Sequence, residues 1–129
     1  MSTFGHATPI LRSFDEAAAR AFYLDFLGFT VEFEHRFAPD LPLYMAIRLG
    51  DCAIHLSEHY GDASPGARLR IPTADVAALA ETLAARRSRH ARPGAPVAQP
   101  WGDLELTLAD PFGNRLTFFT PGAAESAVT

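Results

Sequence analysis

Two short alternating strands, joined by a five-residue turn near the carboxyl end, constrain the fold more than any other stretch. Leucine occupies positions 104, 106 and 108, and other residues separate these leucines, as in a strand with one buried face. The sequence Asp-Pro-Phe-Gly-Asn at 110–114 favours a turn. Proline fixes φ near the start of the turn, and glycine and asparagine tolerate a positive φ near its end. A second alternating strand, from Arg115 to Thr120, leads back. The stretch therefore predicts a β-hairpin.

The elements before this hairpin occur in an order that the chain repeats once. Residues 1–60 predict a strand, a helix and three further strands, and residues 67–122 predict the same series, ending with the hairpin. Residues 61–66 form a linker by composition, and residues 123–129 form a flexible tail. The sequence thus predicts an α+β fold of two tandem βαβββ modules within one structural domain.

The first helix has recognisable start and stop signals. Ser13 is its predicted N-cap, in a capping box that Glu16 completes three residues later. Gly28 supplies the positive φ that ends the helix. Residues 7–12 before it are predicted to form a short strand, and Pro9 suggests an edge position for that strand.

The second predicted strand, residues 29–37, determines which side chains face away from the helix. Its alternation places the side chains at 31, 33 and 35 on the helix-covered face. The carboxylates of Glu32 and Glu34 then lie on the opposite face. Phe37 has the parity of the apolar positions, which leaves core packing and ligand stacking as alternatives.

Helices must cover the apolar faces of the sheets, which leaves the opposite faces open. These open faces are polar although 48% of the chain is hydrophobic. Candidate residues on them include Glu32, Glu34, Tyr44, His55, Glu105 and Phe119. A solvated sheet face and a concave ligand-binding surface both explain this pattern.

Composition excludes several classes of protein. The net charge of −4 argues against a nucleic-acid binder, which usually carries a basic surplus. No apolar run approaches the ~20 residues of a membrane span. The single cysteine, Cys52, can form no internal disulfide, as expected in a reducing cytoplasm. We therefore expect a soluble, cytoplasmic protein with no nucleic-acid and no membrane partner.

Four motifs carry a resemblance to a known family: Phe22-Tyr23, Leu27-Gly28-Phe29, Pro100-Trp101-Gly102 and the turn at 110–114. From about residue 7 to residue 119 the chain resembles the glyoxalase/bleomycin-resistance, or vicinal oxygen chelate, superfamily. The resemblance implies that the two modules form a curved mixed sheet. It also implies a homodimer with a ligand groove at the interface, and an N-terminal strand that can be exchanged between subunits.

Metalloenzymes of this superfamily place their ligands at four positions, which correspond here to Thr8, His55, Arg68 and Thr117. Of these four side chains, only that of His55 could ligate a divalent metal in the usual manner, and Arg68 would repel one. The resemblance is therefore closest to the metal-free bleomycin-resistance proteins, which implies no catalytic residue, no metal and no other cofactor. The alternative is a metal-dependent glyoxalase-like lyase or dioxygenase that uses His55 with ligands in a shifted register, such as His6 or Glu58.

The bleomycin-resistance branch implies a cationic glycopeptide antibiotic of the bleomycin class as the ligand. Carboxylates would attract the positive drug, and the rings of Trp101 and Phe37 would stack on its heterocycles. The candidate ligand-binding residues are Glu32, Glu34, Phe37, Tyr44, His55, Trp101, Asp103, Glu105 and Phe119. The arginines at 36, 68 and 70 would oppose a cation, so an unrelated small molecule is an alternative ligand. Trp101 equally fits a plug at the end of a sheet.

Overall fold

The fold is described by a computed structural model, which covers residues 3–86 and 93–124. The strands are β1 Ile10–Arg12, β2 Thr30–His35, β3 Tyr44–Leu49, β4 Cys52–Ser57, β5 Arg68–Pro72, β6 Val97–Ala98, β7 Leu104–Ala109 and β8 Arg115–Thr120. The helices are α1 Glu16–Ala19, which continues as a π-helical segment over Arg20–Phe26, and α2 Val76–Ala85. This order confirms the predicted α+β fold of two βαβββ modules. Most of the predicted tail, from residue 125 onward, lies outside the described residues.

The strands form two mixed sheets, ordered β1-β4-β3-β2 and β5-β8-β7-β6. In each sheet the first strand of the module lies parallel to the last, and the other neighbours are antiparallel. Strand β1 is shorter than predicted, because Pro9 has no N–H to donate to a sheet. The carbonyl oxygen of Pro9 still accepts a hydrogen bond from the N–H of His55 at 3.0 Å.

Helix α1 begins later than the sequence predicts, and its cap is Asp15 rather than Ser13. Oδ1 of Asp15 accepts a hydrogen bond from the N–H of Ala18 at 3.0 Å, as an N-cap side chain does. The N–H of Ser13 instead donates to the carbonyl oxygen of Ser57 at 3.0 Å. Ser13 thus extends the pairing of β1 with β4, and the helix can start only after it. The helix ends as predicted at Gly28, whose φ is 95°.

Side chains from both modules form one hydrophobic core cluster. Its largest fully buried members include Phe22, Tyr23, Ile47 and Ile54 of the first module and Leu83, Leu116 and Phe118 of the second. Two further contacts also cross between the modules. The rings of Phe14 and Phe112 meet edge-on at 6.1 Å, and Nη1 of Arg86 donates to the carbonyl oxygen of Phe26 at 2.6 Å. The two modules therefore pack as one unit.

The turn between β7 and β8 contains a buried carboxylate that joins the modules. Asp110, only 5% exposed, accepts hydrogen bonds from the hydroxyl of Tyr23 at 2.6 Å, from two backbone N–H groups of the turn at 2.9 and 2.8 Å, and from the amide of Asn114 at 2.8 Å. The same amide donates to the carbonyl oxygen of Arg12 at 2.9 Å, and Oδ1 of Asn114 accepts from the N–H of Ala67 at 3.2 Å. A buried charge needs such partners in place of its lost hydration. The turn therefore connects the first helix, β1 and the start of the second module.

We predict that Tyr23→Phe lowers the free energy of unfolding by about 1.5–3 kcal/mol, because a buried hydrogen bond to a carboxylate is lost. Urea-induced unfolding of the variant and the wild type measures this difference. The matched control is Tyr60→Phe, since the side chain of Tyr60 is 97% exposed. The control should unfold at the wild-type urea concentration.

The same substitution should change how stability depends on pH. Burial, and then the charge of Asp110, raises the pKa of Tyr23 well above the ordinary value of 10.0. Above about pH 10 an unfolded tyrosine ionises while folded Tyr23 keeps its proton, so wild-type stability falls by up to about 1.4 kcal/mol per pH unit from this group. Tyr23→Phe should therefore lose stability less steeply between about pH 9 and pH 11. Equal slopes for the two proteins would contradict this assignment.

Candidate functional site

A β-bulge in β2 changes the faces that its side chains occupy. Val31 lies opposite Ile47, and Phe33 lies opposite Ala46, the residue adjacent to Ile47. Glu32 is therefore an extra residue that has no opposite residue on β3. Beyond the bulge, Phe33 and His35 share a face with Ala46 and Tyr44, because directly opposite residues in an antiparallel pair lie on one face. The prediction that placed positions 33 and 35 beneath the helix is therefore wrong. The bulge moves a phenylalanine and a histidine to the open face.

The bulge also turns Glu34 and Arg36 toward the helix. Nη2 of Arg20, in the π-helical segment, donates to the carboxylate of Glu34. Arg36 donates to the carboxylate of Glu16 and, at 2.9 Å, to the carbonyl oxygen of Leu41. The expectation that Glu34 lies on the open face is therefore wrong, and its charge is paired with the helix. Arg36, which was expected to oppose a cationic ligand, is likewise turned toward the helix.

Three rings lie together on the open face of the first sheet, and we call Phe33, Tyr44 and His55 the aromatic surface. The rings of Phe33 and Tyr44 are nearly parallel, with centroids 6.4 Å apart and planes inclined by 12°. The imidazole of His55 stands edge-on to both, at 5.6 Å from Phe33 and 5.2 Å from Tyr44. The hydroxyl of Tyr44 is 2.6 Å from Nδ1 of His55. Phe33 is 49% exposed, so the surface is open to solvent.

Ala46 lies at the base of the aromatic surface. It is the ladder partner of both Phe33 and His55, and Tyr44 precedes it by two residues on the same strand. Ala46 is fully buried, yet it does not belong to the core cluster that includes its neighbours Met45 and Ile47. The rings therefore cover it from the open side. A small side chain at this position allows three rings to come together above it.

The ring of Phe37 continues the aromatic surface beyond β2. It meets the imidazole of His35 edge-on at 4.7 Å and that of His59 at 6.1 Å. Its side chain is 76% exposed, so core packing does not explain the residue. Of the two alternatives that the sequence left open for Phe37, the exposed position is compatible with ligand stacking.

Glu32 remains on the border of the open face, but it does not present a free charge. Its carboxylate accepts a hydrogen bond from Nε of Arg48 at 3.1 Å. Both side chains are about two-fifths exposed, at 40% and 44%, so solvent also screens this pair. At this border of the first sheet, the carboxylate is already neutralised and would attract a cation only weakly.

The open face of the second sheet brings together four of the predicted residues around Arg70. Its Nη2 donates to Glu105 at 2.8 Å and lies 3.4 Å from Asp103, while its guanidinium covers the ring of Phe119 at 4.4 Å. Nε1 of Trp101 donates to the same Asp103 carboxylate at 3.0 Å. Trp101 is 63% exposed and does not plug the end of the sheet. One arginine therefore pairs with the two carboxylates and covers the ring of Phe119, and Trp101 joins this group through Asp103.

The residues at the four ligand positions of the metalloenzymes do not fit a metal ion. Nδ1 of His55 is occupied by Tyr44, Thr117 shares a hydrogen bond with Thr107 at 2.8 Å, and Thr8 is exposed. The carboxylate of Glu58, a candidate in a shifted register, accepts the N–H of Leu43 at 2.9 Å. Among residues 3–86 and 93–124, no group of three or more histidine, cysteine, aspartate or glutamate side chains is arranged to hold a metal.

Comparison with protein families matches residues 2–124 to a family described as glyoxalase superfamily protein. The chain belongs to the glyoxalase superfamily. Among curated proteins, no sequence matches it at a significant level. In the part of the chain that the structure describes, no helix has the length and apolar character needed to cross a bilayer.

Solved structures of relatives in this superfamily have the same fold. A bleomycin resistance determinant encoded on the transposon Tn5 is 26% identical, with a TM-score of 0.71 over 92% of this chain and 98% of that chain. A bleomycin-binding protein complexed with bleomycin is also 26% identical, with a TM-score of 0.70 over 91% and 98% of the two chains. The antibiotic binding protein TnmS3 from Streptomyces sp. CB03234 is 24% identical, with a TM-score of 0.70 over 94% and 99%.

We predict that Trp101→Ala changes the free energy of unfolding by no more than about 0.5 kcal/mol, because the side chain is largely exposed. Thermal unfolding followed by circular dichroism measures the effect. Leu116→Ala is the comparison, since Leu116 is fully buried and should lose about 2–5 kcal/mol. If Trp101→Ala destabilised the protein as much as Leu116→Ala, Trp101 would be a structural residue.

Proposed function

We propose that this protein binds and sequesters a small-molecule antibiotic of the bleomycin class, without a metal and without chemical conversion. The observation that carries the proposal is the exposed aromatic surface on the open face of the first sheet. Two relatives at 26% identity are a bleomycin-binding protein and a bleomycin resistance determinant, and they support the choice of ligand class.

Stacking on rings is the main source of affinity in this proposal. A flat heterocycle that covers Phe33 removes apolar surface from water, and each favourable ring pair adds about 0.5–1.5 kcal/mol. Phe37 extends the area available to such a ligand on the first sheet, since its ring is largely exposed. A contiguous exposed apolar patch is typical of a ligand-binding or protein-binding site.

Charge attraction contributes less than the sequence suggested. Glu34 is paired with Arg20, Glu32 with Arg48, and the two carboxylates of the second sheet with Arg70. A cationic drug would therefore compete with arginines that already neutralise these groups. Binding that depends on rings rather than charges should be only weakly sensitive to salt.

A homodimer would complete the site. In a single chain, the exposed rings on the open faces of both sheets are not covered. A second copy can place the open face of its second sheet, which carries Trp101, opposite the aromatic surface of the first copy. The two faces would form a groove with rings on both walls. Exposed aromatic side chains are typical of such interfaces. Exchange of the N-terminal strand between subunits is one way to form this dimer, and β1 lies at the edge of its sheet.

We predict that light scattering at micromolar concentration gives a mass twice that of the 14.0 kDa chain. The groove requires two copies, so a dimer is expected with and without ligand. A monomer that nevertheless binds the drug would place the whole site on one chain.

The ligand prediction is tested by calorimetric titration of metal-free bleomycin into chelator-treated protein. We expect sub-micromolar binding with one drug per chain. Phe33→Ala should weaken binding about tenfold or more, because it removes a central ring. The matched control is Phe14→Ala, since Phe14 is similarly exposed, at 56%, but contacts Phe112 outside the aromatic surface.

Two results would contradict the proposal. Absence of binding to the wild type would remove bleomycin-class drugs as the ligand. Equal loss of affinity in Phe33→Ala and Phe14→Ala would show that the aromatic surface is not the binding site. Metal analysis of untreated protein belongs to the same experiment, and a stoichiometric divalent metal would favour the enzyme alternative.

A further inference from the structure

The hydrogen bond between Tyr44 and His55 fixes a polar group within the aromatic surface. The hydroxyl oxygen of Tyr44 and Nδ1 of His55 are 2.6 Å apart, and the two rings are inclined by 81°. A neutral imidazole has one nitrogen that carries a proton and one that accepts a hydrogen bond. The direction of the Tyr44 bond therefore decides what the other nitrogen, Nε2, can do.

The phenol of Tyr44 is the donor in this pair. Burial, and then the negative charge of Asp62, raises the pKa of Tyr44, so the phenol keeps its proton. An imidazole nitrogen accepts hydrogen bonds more strongly than a phenol oxygen does, and Tyr44 makes no other side-chain hydrogen bond among the described residues. The hydroxyl thus donates to Nδ1, and the imidazole proton resides on Nε2.

Nε2 of His55 is available to a ligand. Within residues 3–86 and 93–124 it has no protein hydrogen-bond partner, and the only buried side-chain nitrogen or oxygen without a partner is Nη1 of Arg12. Nε2 is therefore in contact with solvent. It is an N–H donor beside Phe33, on the face where Ala46 leaves room for the rings.

We propose that the aromatic surface selects a planar aromatic ring that carries a hydrogen-bond acceptor at its rim, and that His55 donates to this acceptor through Nε2. Tyr44 is then a positioning residue, because it holds His55 in the donor tautomer. The proposal rests on the proposed function, since the ring belongs to the flat part of the antibiotic. A purely hydrocarbon ring of the same shape would cover Nε2 without replacing its bond to water.

The unmet donor gives the surface its selectivity. A covered N–H group without a partner loses its hydration, and one well-placed hydrogen bond restores it. The expected preference for an acceptor-bearing ring over its hydrocarbon analogue is about tenfold. Stacking on Phe33 contributes equally to both ligands, so the preference isolates the hydrogen bond.

The test uses two probes of equal shape, quinolin-3-ylmethanol and naphthalen-2-ylmethanol, which differ by one ring nitrogen. Dissociation constants are measured by NMR titration of ¹⁵N-labelled protein at about pH 8. Wild type should bind the quinoline about tenfold more tightly. In Tyr44→Phe this preference should fall to about twofold or less, with little change for the naphthalene. Tyr60→Phe is the control and should keep the preference.

A second readout separates positioning from a loss of structure. Long-range ¹H–¹⁵N correlations of the imidazole report which nitrogen carries the proton. We expect the Nε2–H tautomer of His55 in the wild type and in Tyr60→Phe, and a mixture in Tyr44→Phe. A Nδ1–H tautomer in the wild type would overturn the proposal.

The outcomes distinguish this inference from the proposed function. Equal affinity for the two probes, with both lost in Phe33→Ala, would overturn the donor role and leave ring recognition intact. If neither probe perturbed the aromatic surface, recognition through rings would itself be refuted. A preference that survived in Tyr44→Phe would refute the positioning role of Tyr44.

Discussion

The carboxylate of Asp110 is the group on which the arrangement of the two modules depends. It is buried, and the hydroxyl of Tyr23, the backbone of its own turn and the amide of Asn114 donate to it. The hydroxyl donor comes from the first helix, and the other donors come from the turn itself. The charge is therefore compensated only when helix and turn are both in place. The amide of Asn114 carries the constraint on to the carbonyl of Arg12 in β1. Packing of the shared core and pairing of this one charge therefore favour the same arrangement.

The order of strands in the second sheet is a second constraint, and it determines which side chains Arg70 can reach. Arg70 lies on β5 and Glu105 on β7, and β8 separates them. The guanidinium has to cross β8 to reach its partner, and it does so over the ring of Phe119. The long arginine side chain thus joins two strands that share no hydrogen bonds. Arg70 also pairs with Asp103, whose carboxylate accepts a hydrogen bond from Trp101. The ion pair therefore orients the exposed indole through Asp103.

The sequence predicted those parts of the fold whose signals are local. Alternating leucines and the Asp-Pro-Phe-Gly-Asn turn indicated β7 and β8, and Gly28 indicated the end of the first helix. The start of that helix was missed because Ser13 is recruited by β4, a partner distant in sequence. The bulge at Glu32 was missed because β2 alternates without interruption in the sequence, and the extra residue is visible only against β3. Arg70 was expected to oppose a cationic ligand, but its ion-pair partners depend on the strand order, which the sequence does not reveal. The face expected for Tyr44 and His55, which lie on regular strands, therefore agrees with the strand pairing, and the face expected for the residues after the bulge does not.

The bulge also changes the chemistry of the site. Without it, Glu34 would stand beside Glu32 on the open face, and Phe33 would lie beneath the helix. The face would then be anionic and would attract any cation. The one extra residue replaces a carboxylate by the ring of Phe33, which stacks beside Tyr44 above Ala46. In the proposed function, recognition is thereby shifted from charge, which many cations satisfy, to ring shape and the single donor proposed at His55. If the protein sequesters its ligand as we propose, it gains selectivity from this exchange, since sequestration has no chemical step at which to reject a poor fit.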